Sequence, residues 1–556
     1  MPTLNWIGKE KIVNHHRDVP YCVLDRKYSF DKDGQHEEDN GSENMIIHGD
    51  NLYALKALLP KYEGKIKCIY IDPPYNTGNE NWVYNDNVND PQIKRWLGEV
   101  VGKEGEDMTR HDKWLCMMYP RLQLLRRLLS ENGVIFISIG EDEHANLKLV
   151  CDELFGSRNY VTDFCRQMKS GGAKGHYYTP SLDYILTYAK NIDALPYFRT
   201  VLTQQQIDTF YKFIEKQGPK TGEKYGEERL FKSSLEPRAN QRYYIRCPDG
   251  TFAIPPGENF PQELVEGLTV MPSKTDKVWK WIYPRYQSEL ENGNIVFKKT
   301  TTSGLIDENG LQSKWNIYNK LWLSEQQEKG VVPSNIITEF ENRQSASELK
   351  KLELKFEYSK PLNLIKYLIS ISQQSNDAIV LDSFAGSATT AQAVLELNKN
   401  DGGNRKVILV EMMEYAETIT AERVKKVING YADESGIDSS FSYYELGEQL
   451  LTDEHMLNED IDIQKIREYI WFIETKTPFI GVDSNNPYLL GKVFETSYYF
   501  YYEKGQETIL NESFLNSISK DSEGYVIYAD ACTLPKSLMS KMNIIFKKIP
   551  RDISKL

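Results

Sequence analysis

The residues best suited to chemistry are Asp72, Pro73, Pro74 and Tyr75, which follow directly on the apolar run Cys68-Ile69-Tyr70-Ile71. A strand ending there delivers a carboxylate to its C-terminal end, the edge at which open α/β sheets place their ligands. Two prolines stiffen the backbone and remove two N–H donors, so the carbonyls remain as acceptors with little freedom. An aromatic ring comes next. The set is a receptor for an amino group on a flat ring. The exocyclic N6 amine of adenine carries two hydrogens; Asp72 can accept one and the Pro73 carbonyl the other. That amine is a weak nucleophile because its lone pair is shared with the ring. Two acceptors on its hydrogens favour a more tetrahedral nitrogen, whose lone pair can point at a methyl donor. Tyr75 can stack on the base, a contact worth about 1–3 kcal/mol. A base in a duplex reaches such a pocket by flipping out of the stack. A strand-end Asp before a Pro-Pro turn is also an ordinary structural feature, so weight falls on a second constellation.

That constellation is Ala378-Ile379-Val380-Leu381-Asp382-Ser383-Phe384-Ala385-Gly386-Ser387-Ala388-Thr389-Thr390. A strand ending at Asp382 runs into a tight turn centred on Gly386, then into a helix. Glycine lets backbone approach a ligand closely. Ser387 and Thr389 stand at the helix start, where caps and anions are stabilised, so a methionine carboxylate suits the place. Phe384 can lie near a cationic sulfonium. Glu411 follows 25 positions after Gly386, at the end of the next apolar run, where an acidic residue binds ribose hydroxyls. The loop does not match G-x-G-x-x-G, which leaves a nicotinamide-dinucleotide reading without support.

The elements that must position these groups alternate in type. Over 44–139, short apolar runs at 45–47, 66–71 and 134–139 alternate with helical spacing at 51–59 and 114–129. Pro120 inside the second helical stretch predicts a kink or break, and Asn132-Gly133 its end. Regular pattern returns as helix (361–370), strand (378–382), helix (388–397) and strand (406–411). Such alternation predicts a doubly wound, mainly parallel α/β sheet covered on both faces. From about 195 to 345 the texture changes to interleaved Gly, Pro, aromatic and basic residues, which reads as an insertion that splits one α/β domain. The expected divisions are an N-terminal polar extension (1–43), a first core segment (44–194), a target-recognition domain (195–345), a second core segment (346–443) and an acidic C-terminal α+β domain (444–556).

Composition narrows the class. At 556 residues and 40% apolar content the chain has several cores and is not disordered. No apolar stretch approaches the roughly 18 residues of a membrane span. Seven cysteines without C-x-x-C suggest neither a disulfide framework nor a zinc site, and no bound metal is expected. A cytoplasmic protein is the expectation. Net charge is −13, but its distribution is uneven: 20 Lys and Arg against 16 Asp and Glu over 160–300, and 6 against 20 over 430–530. The acidity is a C-terminal property, suited to a partner or dimer surface because it repels DNA. In the middle segment Lys169, Lys174, Arg238, Arg242, Arg246, Lys277, Lys280 and Arg285 alternate with Tyr243, Tyr244, Trp279, Trp281 and Tyr286. That texture suits phosphate and base contacts, and equally an ordinary folded surface over an aromatic core.

With both motifs in view, the chain resembles the beta group of DNA amino-methyltransferases, in which the catalytic tetrapeptide precedes the cofactor loop and the recognition region lies between them. More closely it resembles the modification subunit of Type III restriction–modification systems, through Trp6-Ile7-Gly8-Lys9, His48-Gly49-Asp50-Asn51-Leu52, Asp72 to Gly78, Lys360-Pro361 and Lys548-Ile549-Pro550-Arg551-Asp552-Ile553. The resemblance implies a circularly permuted seven-stranded methyltransferase sheet and S-adenosylmethionine as methyl donor. It implies Asp50 near the cofactor adenine and Glu411 on its ribose. It also implies Lys360, Ser387 and Thr389 near its methionine end, with N6-adenine as target. It further implies a homodimer, double-stranded DNA as substrate, and a separate restriction subunit. Ala388 departs from the glycine common in relatives, so the loop should be stiffer. Cytosine N4 is the nearest rival target; methylation of a protein amide or of RNA, and an inactive DNA-binding specificity subunit, are the rivals of other classes. No Pro-Cys pair occurs, so cysteine-based cytosine C5 chemistry is not expected.

Overall fold

The computed structural model describes residues 3–77, 109–171, 177–452, 454, 456–477, 479–481, 486–519 and 521–553. Lys174 and Gly78 lie outside them. The chain divides into two compact units, one formed by 1–198 with 334–556 and the other by 199–333.

The first unit is built on an eleven-stranded sheet. In chain order its strands are β1 (Cys22–Asp31), β2 (Gly34–His36), β3 (Met45–His48), β4 (Ile66–Ile71), β5 (Leu129–Ile139) and β6 (Tyr160–Gln167). They are followed by β7 (Leu182–Ala189), β8 (Ile336–Ile337), β9 (Ile379–Asp382), β10 (Lys406–Glu411) and β11 (Phe441–Gln449). Their order across the sheet is β8-β6-β7-β5-β4-β9-β10-β3-β11-β1-β2. From β5 to β11 every neighbouring pair is parallel. The antiparallel pairs lie to either side. The parallel strands read as continuous apolar runs because both faces are covered. Along β4, Ile69 and Ile71 pack into one core while Cys68 and Tyr70 pack into the other. Along β10, Ile408 and Val410 divide from Val407 and Leu409 in the same way.

Helices α1 (Asn51–Tyr62) and α2 (Arg110–Leu128) fill the first face. Helices α3 (Leu362–Ile371), α4 (Thr389–Asp401) and α5 (Glu422–Asn429) fill the second. This is the expected doubly wound architecture, extended beyond seven strands. Pro120 does not break α2, which runs through it. Residues on both sides of it, from Trp114 to Leu128, are buried in one core, and that packing outweighs one lost backbone bond. The following strand starts at Leu129, ahead of Asn132-Gly133, and absorbs them in a register shift against β4.

Two expected divisions meet a different structure. Residues 22–36 are no loose extension: β1 and β2 join the sheet edge, and Val23, Tyr28 and Phe30 are buried. The boundary at 444 falls inside β11. Beyond it the helix Ile463–Thr475 places Ile466, Tyr469 and Ile470 in the same core as α1 and α2. A four-stranded mixed sheet follows, with strands Leu489–Val493, Thr496–Phe500, Gly524–Ala529 and Ile544–Lys548. No helix among the described residues is long and apolar enough to cross a membrane.

The second unit, 199–333, falls inside the segment read as an insertion. It holds a four-stranded antiparallel sheet ordered Ile295–Lys299, Trp315–Trp322, Lys224–Arg229, Phe213–Ile214. Its core gathers Tyr243, Trp279, Trp281, Tyr286, Trp315 and Ile317.

Candidate active site

The strand order decides the site. β4 lies beside β9, with Cys68 opposite Val380 and Ile69 opposite Leu381. The two strands are parallel, so Asp72 and the glycine turn leave the sheet at the same edge, although they are far apart in the chain. β10 and β3 continue the row, with Glu411 opposite His48. The Asp50, Asp72, Asp382 and Glu411 segments therefore share the C-terminal edge of four neighbouring parallel strands.

Cross-links tie these turns together. Gly49 N–H donates to the Glu411 carbonyl at 2.9 Å, and Asn51 Nδ2 to the Ser383 carbonyl at 2.8 Å. Gly386 N–H donates to Glu411 Oε2 at 2.7 Å, so the ribose-binding candidate also braces the glycine turn. Gly386 has φ 52° and Ala388 φ 61°, both left-handed. Glycine adopts that region without penalty, whereas alanine does not. The conformation explains why glycine suits position 388 and why this chain's loop carries some strain.

In the Asp72–Tyr75 tetrapeptide, Asp72 receives the Lys360 ammonium at 2.7 Å on Oδ1 and 2.6 Å on Oδ2. Burial raises the Asp72 pKa and the ammonium pulls it only partly back. Lys360, expected beside the methionine end, is thus held at the tetrapeptide. Its ammonium also lies 4.9 Å from the Tyr75 ring centroid. Tyr75 donates to Asp183 Oδ2 at 3.4 Å, and Asp183 forms a buried ion pair with Arg166. The Pro74 carbonyl accepts from Trp114 Nε1 at 2.7 Å, which pins the turn to α2. Asn76, at φ 56°, donates to the buried Glu143.

The acidic pair behind the glycine turn is almost wholly enclosed. Asp382 accepts from Phe384 N–H at 3.0 Å and from the Thr390 hydroxyl at 2.5 Å, and burial pushes its pKa up to about 7. Glu411 also accepts from Met413 N–H at 3.0 Å; burial pushes it up to about 8. Asp50 caps α1 through Leu52 N–H at 2.8 Å and pairs with Arg121 at 2.8 Å. Ser387 and Thr389 meet Ser359, whose Oγ lies 2.8 Å from Ser387 Oγ and 3.1 Å from Thr389 Oγ1. Arg423 donates to both at 3.0 Å and 2.8 Å. Sequence reasoning missed Ser359, Arg423, Asp183 and Arg166. Arg423 left a trace, because it is a charge on the apolar stripe of α5, beside Val424 and Val427.

The basic and aromatic positions of the middle segment divide. Arg242 is not a phosphate contact. It is fully buried and donates to the carbonyls of Asn259, Pro255 and Lys277. Tyr243, Trp279 and Tyr286 are core, and Tyr244 and Trp281 are buried, so they offer no ring to a base. Lys280 is paired with Glu228. Arg238, Arg246 and Arg285 are exposed; Lys169 and Lys277 are half-buried.

The sequence has counterparts among known proteins. The Type III restriction–modification enzyme EcoPI Mod subunit of Escherichia phage P1 is 30% identical over 438 residues, 74% of this chain and 64% of that one. The EcoP15I Mod subunit of Escherichia coli is 30% identical over 433 residues, again 74% and 64%. The Type II methyltransferase M.KpnI of Klebsiella pneumoniae is 29% identical over 389 residues, 67% and 81%. The chain spans 64% of the length of the first two. The N6/N4 DNA methylase family is matched across residues 66–423, from the first residue of β4 to Arg423, taking in both turns at the sheet edge. By that match over most of its length, this chain belongs to the N6/N4 DNA methylase family.

Proposed function

We propose that the chain transfers a methyl group from S-adenosylmethionine to the exocyclic N6 of adenine in double-stranded DNA, as the modification and specificity subunit of a Type III restriction–modification system. One observation carries the reading: Asp72 and the Gly386 turn leave adjacent parallel strands at one sheet edge. Family membership and the likeness to relatives named as Type III Mod subunits support it.

The residues present fit the donor. The Ser383 hydroxyl in the glycine turn is buried without a hydrogen-bond partner among the described residues. A carboxyl group keeps free acceptor lone pairs even when protonated, so Glu411 can brace the turn and still hydrogen-bond to ribose. Ser387 and Thr389 suit the amino-acid carboxylate, Phe384 the sulfonium, and Asp50 the adenine end, with Asp382 holding the turn through Phe384 N–H and Thr390. Bound S-adenosylmethionine supplies an electrophilic methyl group.

The chain's own residues do the rest. Tyr75 stacks on the flipped base. Asp72 and the Pro73 carbonyl accept the two amine hydrogens and turn the nitrogen lone pair toward the methyl. Lys360 yields at least one Asp72 oxygen as the amine arrives. The proton released from nitrogen passes to Asp72, whose raised pKa makes it a better base. Positioning of this kind contributes on the order of 7–11 kcal/mol. Arg238, Arg246 and Arg285, exposed on the second unit, are the phosphate-contact candidates. A homodimer, a partner restriction subunit and a cytoplasmic setting complete the proposal.

Mass analysis of nucleosides from DNA treated with the protein and labelled donor tests it. N6-methyladenine is expected. N4-methylcytosine overturns the base assignment, and no label in DNA overturns the enzyme.

A further inference from the structure

A buried cation stands behind the glycine turn with no counter-charge in contact. Arg423 is 1% exposed. Its Nη1 donates to Ser387 Oγ at 3.0 Å, the Ser387 carbonyl at 3.2 Å and Thr389 Oγ1 at 2.8 Å; its Nε donates to Gln392 Oε1 at 2.8 Å. All four acceptors are neutral. Among the described residues, no carboxylate forms an ion pair with it. Glu348 and Glu396 are bound instead by Gln392 Nε2, at 2.8 Å and 2.9 Å, and act on the guanidinium through space without contacting it. Burial lowers the Arg423 pKa to about 10, the mark of a charge whose surroundings do not repay its desolvation.

The hydroxyls in front of the guanidinium have a defined polarity. A hydroxyl that accepts from a guanidinium turns its own hydrogen elsewhere. Ser387 and Thr389 both do so, and Ser359 closes the group at 2.8 Å and 3.1 Å. The hydroxyls of Ser387 and Thr389, at the entry to α4, and of Ser359, from the segment before α3, cluster in front of the cation, where each can turn its hydrogen from a neighbouring oxygen to an incoming anion. An anion seated there would gain hydrogen bonds and compensate the buried charge together.

We propose that Arg423 is a positioning residue that supplies the counter-charge for a ligand carboxylate seated on the hydroxyls of Ser359, Ser387 and Thr389. This rests on the proposed function, in which that carboxylate is the amino-acid end of S-adenosylmethionine.

Calorimetry on the full chain, with two ligands that share the adenosine moiety, tests the proposal. S-adenosylhomocysteine has the carboxylate; 5′-methylthioadenosine lacks it. Arg423→Gln is expected to weaken S-adenosylhomocysteine about 10-fold or more and to leave 5′-methylthioadenosine within about twofold, as loss of one charge-assisted contact predicts. Arg423→Met, an unbranched apolar replacement without the charge, gives the same selective loss and serves if the glutamine variant does not fold. Arg423→Lys retains most of the discrimination because it keeps the charge. Equal weakening of both ligands, or of neither, in the two neutral variants overturns the proposal and leaves the cofactor reading intact. A wild-type protein that binds neither ligand overturns the cofactor reading and this proposal with it.

Discussion

The Lys360 ammonium closes on both carboxylate oxygens of Asp72, at 2.7 Å and 2.6 Å, across a sequence separation of 288 residues. The side chains are 8% and 14% exposed, so the pair is screened little by solvent. The carboxylate proposed to receive the target amine is thereby held in one place. Part of its acceptor capacity is also taken, so under the proposed mechanism an incoming amine must share the carboxylate with Lys360 or displace it.

Asp72→Asn is the informative change at this pair. Asp72→Ala would leave a buried ammonium alone, which costs about 3–5 kcal/mol and confounds chemistry with folding. The asparagine variant is expected to lose transfer by roughly 10²-fold or more. S-adenosylhomocysteine affinity should stay within about threefold, since the proposed cofactor contacts at Asp50, Gly386 and Glu411 follow other strands. Label transfer and calorimetry check the two halves. Full activity in Asp72→Asn would refute the mechanism.

Lys360→Met should move the pH profile. Burial raises the Asp72 pKa and the ammonium opposes it. Without the ammonium that pKa rises further. Catalysis needs the ionised carboxylate, so the acid limb of kcat/KM shifts to higher pH. An acid limb at its wild-type position would separate Lys360 from the ionisation of Asp72.

Glu411 predicts a pH dependence of stability. Its folded pKa is raised to about 8 by burial, against an unfolded value of 4.5. The folded protein holds this proton longer than the unfolded chain. Stability therefore falls as pH rises through the window from the unfolded to the folded value, and levels off above it. Glu411→Gln lacks this contribution. Its stability relative to wild type should grow by up to about 1.4 kcal/mol per pH unit across that window, read from urea midpoints. A difference that stays constant from about pH 5 to about pH 8 would show that Glu411 ionises normally. Asp382, raised to about 7, adds a slope of the same sign in both proteins.

Gly386→Val tests the turn. At φ 52° a β-branched residue is strained by about 1–2 kcal/mol. The turn should open away from Glu411 and weaken the cofactor about 10-fold or more. Unchanged affinity by calorimetry would place the cofactor elsewhere.

Two arginines of the second unit should behave in opposite ways. Arg242 is buried among carbonyl acceptors, so Arg242→Ala destabilises the unit by several kcal/mol, visible as an early thermal transition. Arg285 is exposed, with its guanidinium 4.7 Å from the Trp281 ring centroid, so Arg285→Ala should lower melting only slightly and reduce the salt slope of DNA binding by about one. An unchanged slope removes Arg285 from the DNA face.

Much of the site was legible in the chain because its signals are local. A continuous apolar run ending in Asp72 or in Glu411 states that a buried strand stops there, and β4 and β10 have the bounds their patterns predict. Gly386 between a strand and a helix states a turn. The aromatic residues of the middle segment were ambiguous for an equally plain reason: composition does not say which side of a tyrosine faces water. Packing assigned Tyr243, Trp279 and Tyr286 to the interior and left Arg285 outside.

What the amino-acid order determined alone was the type of each element and the residue at its end, since both follow from periodicity over a few positions. What only the tertiary structure decided was which ends meet. The placing of β4 beside β9, the closure of Lys360 on Asp72 and the seating of Arg423 behind Ser387 and Thr389 are contacts between distant segments. They are set by how helices cover the two faces of one sheet, a global balance of burial that no short window of sequence contains.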